Sequence, residues 1–399
     1  MKIFKSILPV LMAALIFFQG NAYEIKTDSI PDTAISLLIC SPGSEIYELE
    51  GHAAMRIVHP IYGDVTVNWG LFDFNTPNFA YRFTKGETDY RAGATPTDLF
   101  VGLYQREGRT VTEIPVKLTP DEAKRVIDLV TENLRPENRV YRYNYLYDNC
   151  STRPLAIIEK ATGDSISLKL PDDIAEGETF RTLMSRYHQN YPWYQFGIDL
   201  ALGNGIDKKV TPRDATFAPV ILLNQISGQN DRFGQPVVLT SPVTTDGGPA
   251  GPTPWYLTPI FIGWIVFAIA LILTVAGTRL KKVAPWFDRV YYLAVALAGL
   301  LLTFLIFVSV HEATSPNWLY LWLNPLAFTV VIGIGTKRLV TLVLFYQLIN
   351  FASLIALCII AATGIQSLNA AFYPLILADL LRSANYIYRN KSCLSRKSY

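Results

Sequence analysis

Long apolar runs dominate the C-terminal part of this chain. Four runs are long enough to span a bilayer as helices, and a fifth is shorter. They lie near 257–278, 290–310, 317–335 and 339–362, with the fifth near 367–382. Inside a bilayer a single chain satisfies its backbone groups only as helices or as a closed barrel, so runs of this length predict an all-α transmembrane bundle over 257–382.

Positive charge in the connections predicts how the spans are oriented. Basic residues flank the first and third connections and fill the C-terminal tail. They are Arg279, Lys281, Lys282 and Arg289, then Lys337 and Arg338, then Arg382, Arg389, Lys391, Arg396 and Lys397. With five spans all three clusters fall on the cytoplasmic side, whereas with four spans the basic tail lies outside. We therefore expect five spans, despite Asp379 in the last, and a basic cytoplasmic tail over 383–399.

The N-terminal part predicts export of a soluble domain. Lys2 and Lys5 precede the apolar run ILPVLMAALIFF and a small-residue site at Ala22, which is typical of a secretory signal peptide over 1–22. Residues 23–240 hold nearly all the acidic residues and are long enough to bury one core. They are expected in the periplasm, with the spans in the inner membrane. The net charge of +2 gives no argument for nucleic acid.

A linker of Pro, Gly, Ser and Thr at 241–256 joins the two parts. A flexible linker of this length reaches roughly 20 Å. The soluble domain must therefore stay close to the outer leaflet of this membrane.

The stretch YRYNYLYDNCSTRP, residues 141–154, contains the best candidate for covalent chemistry. After it, apolar residues recur at helical spacing until Gly163, so Asp148 or Asn149 can cap a helix whose first turn holds Cys150. Unpaired N–H groups and the helix dipole favour a thiolate there. Cys150 is the predicted nucleophile, and a small buried cysteine is the alternative.

A histidine upstream can serve as the base for this thiol. Residues 45–70 read as two strands with a turn between them, and His52 follows Gly51 on the first strand. An imidazole facing a thiol can take the thiol proton and later return it. Asn68 on the second strand is the candidate to hold the ring, and Asp73 is the alternative. The alternative is that His52, Asn68 and Asp73 have only structural roles in or at the ends of the strands.

The cysteines give no sign of a metal or redox motif. Cys40, Cys150, Cys358 and Cys393 have no metal-ligand spacing, and only the first two share the exported compartment. A Cys40–Cys150 disulfide is the alternative to free thiols. Cys40 ends the apolar run AISLLIC, which is more typical of a strand interior. No metal or cofactor is expected.

Four segments carry a family resemblance: PGSEIYELEGHAAMRI, VNWGLFDF, YRYNYLYDNCSTRP and FGIDLALGNGID. They resemble the family with the Lnb N-terminal periplasmic domain, over most of residues 30–225 and on into the multi-span part. The order of His before Cys is similar to the permuted papain-like group, which includes NlpC/P60-type peptidases and lecithin–retinol acyltransferases. The resemblance implies an α+β papain-like, NlpC/P60-like domain. It also implies a Cys–His acyltransferase that moves a fatty acyl chain from a phospholipid to a lipoprotein amine.

The expected reaction follows from the dyad and this resemblance. His52 activates Cys150, the thiolate takes an acyl chain from a phospholipid, and the amine of a diacylated apolipoprotein receives it. Backbone N–H groups at the start of the Cys150 helix stabilise the oxyanion. The alternatives are a cell-wall amidase or endopeptidase with the same dyad, and a non-catalytic membrane-tethered binding protein. The elaborate anchor favours a lipid substrate.

Four residues are candidate substrate contacts: Arg153, Asn149, Tyr145 and Arg56. Arg153 can pair with a phosphate head group. Its alternative is a structural pair with Asp148 or another carboxylate.

The remaining segments are expected to be scaffold. Thr119 and Glu122 form a capping box that opens a helix to about Leu134, and 78–104 is expected to form strands and a loop. His59 is expected at the surface, and His188 lies in an exposed-looking polar stretch with no assigned role.

Three further groups of polar or aromatic residues are expected to have structural roles or to mark a boundary. Asp199 and Asp207 are turn or cap residues rather than a cation site, since no third ligand is in register. The aromatic residues of 193–196 fit either a membrane face or a core. His311 and Glu312 mark the interfacial end of the second span, in the compartment of Cys150.

Overall fold

The computed structural model describes residues 33–227, 231–240, 248–280 and 285–395. The predicted signal peptide at 1–22 and the first part of the predicted linker lie outside these residues. So do the last residues of the predicted cytoplasmic tail.

An antiparallel seven-stranded sheet forms the centre of the first domain. Its order is β6-β4-β3-β2-β1-β5-β7. The strands are β1 Ala34–Cys40, β2 His52–His59, β3 Gly63–Leu71, β4 Asp89–Pro96, β5 Val111–Pro115, β6 Val140–Arg142 and β7 Val237–Thr240. The predicted pair of strands is therefore β2 and β3, in which Ala54 lies opposite Asn68.

Helices surround this sheet and build its second half. They are α1 Phe79–Lys85, α2 Thr97–Arg106, α3 Pro120–Leu134, α4 Thr152–Thr162, α5 Phe180–Tyr187, α6 Pro192–Ala201, α7 Pro212–Ala215 and α8 Pro219–Ile226. The α+β class is confirmed. The capping box of Thr119 and Glu122 opens α3 as expected, and Gly163 ends α4. The expectation of strands and a loop over 78–104 is partly wrong, because α1 and most of α2 lie there.

The two faces of the sheet bury different cores. Alternate residues of β1 and β2, with Val126 of α3 and Leu155 and Ile158 of α4, fill one core. On the other face Cys40 and Ala54 pack with Phe100 and Tyr104 of α2. This places the start of α4 at the end of the sheet where β2 begins.

Among the described residues of the C-terminal part, three helices are long and apolar enough to cross a membrane: 259–279, 285–307 and 337–362. They correspond to α9 Pro259–Leu280, α10 Pro285–Phe307 and α12 Val340–Ala362. The shorter helices are α11 Phe328–Gly333, α13 Phe372–Asn390 and α14 Ser392–Ser395. The chain is thus a multi-pass membrane protein, and the five-span topology stays a prediction.

The predicted span at 317–335 is not one helix. It consists of 3₁₀ turns at Trp318–Leu321 and Pro325–Ala327, followed by α11. Gly299 of α10 admits the backbone of Asn324, since a Cβ there would lie 2.4 Å from the Asn324 carbonyl carbon. Proline inside this segment removes a backbone donor and ends regular helix. The segment follows α10 closely instead of forming a separate rod.

The last predicted span is the apolar half of α13, and its polar side chains are buried in the bundle. Asp379 accepts hydrogen bonds from Tyr292 at 2.6 Å and from Asn350 at 2.8 Å. Arg382 forms a bidentate pair with Asp288 of α10. Ionisable groups in a membrane region face the protein interior and pair with one another, so these charges do not exclude a span.

Hydrogen bonds hold the first domain directly on the membrane region. The Gly203 N–H donates to the Ala313 carbonyl at 2.8 Å, and the Asn369 amide donates to Asp199 at 2.8 Å. At a second point Val310 N–H donates to the Lys85 carbonyl at 2.9 Å. The domain therefore rests on the outer ends of the spans at two separate places.

Candidate active site

The site begins at the start of β2. Gly51 has φ +82°, and a Cβ on it would lie 2.5 Å from the Cys40 carbonyl oxygen, so glycine lets the chain turn tightly into the strand. His52 is the next residue. Its Nε2–H donates to Asn68 Oδ1 of the neighbouring strand at 2.6 Å, which leaves Nδ1 for another partner.

The Cys150 thiol interacts with this ring, since each of the two groups shifts the pKa of the other. Cys150 lies two residues before α4, so it precedes the helix instead of lying in its first turn. Gly70 of β3, at φ +92°, faces the Cys150 Cβ at 4.0 Å from its own ideal Cβ position. The sequence-predicted trio Cys150, His52 and Asn68 therefore meets at one end of the sheet.

The pKa values of the two partners shift towards a thiolate–imidazolium pair. Burial by itself raises the pKa of Cys150, but the His52 charge and hydrogen bond, an Ala53 N–H and the Tyr143 hydroxyl outweigh burial and lower it overall. Burial by itself lowers the pKa of His52, but the charge and hydrogen bond of Cys150 and the bond to Asn68 raise it overall. A thiolate is the reactive form of cysteine.

Tyr143 is a site residue that the sequence analysis missed. Its hydroxyl is hydrogen-bonded to Cys150, and burial together with the Cys150 charge raises the pKa of Tyr143 well above its usual value. The hydroxyl stays protonated and donates to the thiolate. Its signal in the sequence was its place in the aromatic run seven residues before the cysteine, but such a run does not say which ring points inward.

The backbone at Cys150 offers one donor for an oxyanion. Asn149 Oδ1 accepts from the N–H groups of Ser151 and Thr152 at 2.8 and 3.0 Å, and the Asn149 carbonyl accepts from Arg153. Within the described ranges, the Cys150 N–H has no partner among the hydrogen bonds. Of the backbone N–H groups that were expected to stabilise an oxyanion at this helix start, only the N–H of Cys150 is therefore available.

The second buried cysteine is not part of this arrangement. Cys40 lies opposite His52 in the β1–β2 register, yet both Cys40 and Cys150 are free thiols. Burial, the largest influence, raises the pKa of Cys40 far above its usual value. The pKa values of the two cysteines shift in opposite directions, and the Cys40–Cys150 disulfide is not formed.

The candidate substrate contacts mostly have partners within the protein. Arg153 forms a bidentate pair with Asp148, at 2.5 and 2.7 Å, and lies over the Tyr141 ring. Arg56 pairs with Asp64 and Glu113. These pairs favour the structural alternative for Arg153 and give Arg56 a role within the sheet.

Asn149 and Tyr145 differ in their exposure. Asn149 is 2% exposed, and its amide also donates to the carbonyls of Tyr145 and Phe217 at 2.7 and 2.8 Å. It therefore serves as the cap of the Cys150 turn. The Tyr145 side chain is 38% exposed, and its hydroxyl is hydrogen-bonded to Glu50.

Two expectations about histidines are wrong. His188 is 1% exposed, with Nε2 at 2.8 Å from Glu50 Oε1 and Nδ1 at 2.6 Å from Gln195 Oε1. His59 is also buried, and its Nδ1 accepts from the N–H of Ile61 at 3.1 Å. The polar sequence around His188 hid its burial because its partner Glu50 is 138 residues away.

The expectation that Asp199 and Asp207 are turn or cap residues is wrong. Both pair with the buried Arg181, at 2.7 and 2.9 Å. Asp199 also accepts from Gln195 at 2.8 Å. The part of the chain that the structure describes contains no group of three His, Cys, Asp or Glu side chains that could hold a metal ion.

The aromatic residues of α6 contact the C-terminal part of the chain, and a membrane-face role for them stays a prediction. Trp193 is 50% exposed and donates its indole N–H to the Leu257 carbonyl at 2.7 Å. Phe196 packs against Phe372 of the membrane region, with ring centroids 4.9 Å apart. His311 donates to the Phe83 carbonyl at 2.8 Å, so the end of the second span is a docking point of the first domain.

Comparison with known families matches both parts of the chain. The Lnb N-terminal periplasmic domain matches residues 21–186, and the Lnb transmembrane domain matches residues 252–392. The chain belongs to the Lnb family. The comparisons with curated proteins and with solved structures found no match.

Membership of the Lnb family places the first domain in the periplasm and the second in the membrane. It also indicates a membrane enzyme that modifies lipoproteins. The papain-like classification of the first domain stays a prediction.

Proposed function

We propose that this protein is a thiol acyltransferase that moves a fatty acyl chain from a phospholipid, through Cys150, to the N-terminal amine of a diacylglyceryl lipoprotein. The observation that carries the proposal is the arrangement in which Asn68 accepts a hydrogen bond from His52 and His52 interacts with Cys150. The domain that contains these residues is hydrogen-bonded to the outer ends of the spans. Both substrates present their reactive groups at this membrane surface. One thiolate can therefore serve them in turn.

In the first step the Cys150 thiolate attacks the ester carbonyl of the phospholipid. An S–C bond forms, the ester C–O bond breaks, and the His52 imidazolium gives its proton to the leaving oxygen of the lysophospholipid. The Cys150 N–H faces the developing oxyanion, and Asn68 keeps the ring aimed at the sulfur. The products are a lysophospholipid and an acyl thioester on Cys150.

In the second step the lipoprotein amine attacks the thioester. An N–C bond forms, the S–C bond breaks, and neutral His52 takes the proton that the amine loses. The thiolate–imidazolium pair is thereby restored. Tyr143 donates to the sulfur, which keeps Cys150 ionised before the first step and stabilises the charge that develops on the sulfur as it leaves in the second.

The proposal is tested by incubating the purified full chain with phospholipid vesicles and no acceptor. A fatty-acyl mass should appear on the Cys150 peptide, and neutral hydroxylamine should remove it. Adding a diacylated lipopeptide with a free amine should discharge the acyl group and yield a triacylated product. No acyl mass with any lipid, together with cleavage of a peptidoglycan stem peptide, would replace acyl transfer with the cell-wall amidase reaction.

A further inference from the structure

A chain of aromatic rings connects the catalytic thiol with the membrane region. The chain starts from Tyr143, whose hydroxyl interacts with Cys150. Each ring contacts the next, with centroids 4.4 to 6.4 Å apart. The order is Tyr143, Tyr90, Phe72, Phe79, Phe83 and then His311 at the end of the second span. Tyr47 and Phe74 contact Phe72 from the side, at 6.1 and 4.7 Å.

Much of this aromatic surface is open. Tyr47 is 55% exposed, Phe74 49% and Phe83 50%, and α1 has no buried residue. Exposed aromatic side chains that lie next to one another mark a binding surface for an apolar partner. The basic residues of α1 do not interrupt this surface, because Arg82 pairs with Asp89 and Lys85 with Glu87.

The outer end of this surface lies beside the last turn of the second span. The Tyr81 ring of α1 contacts Phe304, within the last turn of the second span, at 5.8 Å. The Lys85 carbonyl accepts from Val310 directly after that span. Helix α1 therefore lies where aromatic residues favour the membrane–water interface. The same surface thus lies beside the second span at one end, and at the other it continues through Tyr90 and Tyr143 to Cys150.

We propose that the surface formed by Tyr47, Phe72, Phe74, Phe79 and Phe83 is the acyl-chain binding site, along which the hydrocarbon chain lies while its carbonyl carbon is bound to Cys150. This inference rests on the proposed acyl transfer. A chain on this path leaves the outer leaflet beside α1 and stays covered by apolar rings up to the sulfur. The site selects long acyl chains because each added methylene removes further apolar surface from water.

Photo-crosslinking tests where the acyl chain lies. The full chain is acylated from phosphatidylethanolamine vesicles that contain a donor with a diazirine at the end of its acyl chain, then illuminated without any amine acceptor. Cross-links from the acylated Cys150 peptide should fall on residues 72–83. Acylated Cys150 with cross-links only elsewhere overturns the inference while acyl transfer stands, and no acylation with any lipid overturns the proposed function itself.

Variants supply a second test. The double variant F74S/F83S should lower the acylation rate from long-chain vesicles by about tenfold or more, and change the rate from dihexanoyl lipid by less than about twofold, since six carbons cover little of the surface. I61S is the matched control, because Ile61 is 66% exposed at the far end of β2 from His52. Alkylation of Cys150 should be unchanged in both variants. Equal losses with both donors, or no loss with either, would overturn the inference.

Discussion

The bond between His52 and Asn68 gives a prediction with a clear magnitude. Asn68→Ala removes the acceptor that lies 2.6 Å from His52 Nε2. A hydrogen bond to a charged group contributes about 1.5–3 kcal/mol, and one pKa unit corresponds to about 1.36 kcal/mol. We therefore expect the pKa of His52 to fall by about one to two units and the turnover rate to drop roughly 10- to 100-fold.

The sign of the accompanying change in Cys150 follows from the same pair. The imidazolium lowers the pKa of Cys150, so a less stable imidazolium lets that pKa rise. At pH values between the lowered pKa of Cys150 and the ordinary thiol value of about 8.5, Cys150 is mostly a thiolate in the wild type. In Asn68→Ala a larger fraction of Cys150 is the protonated thiol. The rate of iodoacetamide labelling should therefore reach half its maximum at a higher pH in the variant.

The assay measures labelling of Cys150 against pH by mass spectrometry of its peptide. Asn68→Asp is the companion variant, since a carboxylate keeps the acceptor and should keep the inflection low. Asp73→Ala is the control, because Asp73 lies in an exposed turn where it accepts from Asn75 at 2.8 Å. Identical pH profiles for the wild type and Asn68→Ala would refute the conclusion that Asn68 holds the ring.

Three further predictions concern the neighbours of the dyad and a buried ion-pair cluster elsewhere in the first domain. Tyr143→Phe removes the hydroxyl that donates to the Cys150 sulfur, so the labelling inflection should rise by about one pH unit; an unmoved inflection would exclude this contact. Gly51→Ala forces a Cβ to within 2.5 Å of the Cys40 carbonyl oxygen at positive φ, and should lower the free energy of unfolding by about 1–3 kcal/mol, measured as a lower melting temperature. Arg181→Met leaves two buried carboxylates unpaired and should destabilise the protein by about 3–5 kcal/mol. A melting temperature equal to the wild type would contradict either stability prediction.

The strands that carry the site could be predicted because their signals are local. The alternation around His52 and the return strand with Asn68 define β2 and β3, and the register then fixes which side chains share a face. The two ends of α4 could likewise be predicted from neighbouring residues alone. Asn149 accepts backbone hydrogen bonds just before the helix, and Gly163 ends it. The meeting of Cys150 with His52 is a long-range contact, and it was predicted from chemistry and family resemblance rather than from pattern.

Other features depend on distant partners or on weak local signals. Helix α1 follows Asn78, whose φ is +57° and whose side chain does not cap the helix, so the sequence there lacks a start signal. The third apolar run reads as a span by hydropathy, but Pro325 and the approach of Asn324 to Gly299 divide it. The aromatic surface beside Cys150 was missed for the same reason. Its rings come from three segments: the loop that holds Tyr47, the turn after β3 and helix α1.

The measurement that tests the central claim most directly is the structure of lipoprotein N-termini in cells. Cells that depend on this protein for lipoprotein maturation are given the wild type, Cys150→Ala or Cys40→Ala, at matched membrane levels. Mass spectrometry should find triacylated N-termini with the wild type and with Cys40→Ala, and only diacylated N-termini with a free amine for Cys150→Ala. Triacylated lipoproteins in cells that carry only Cys150→Ala would contradict the account, because no acyl–thiol intermediate could then have formed on that residue.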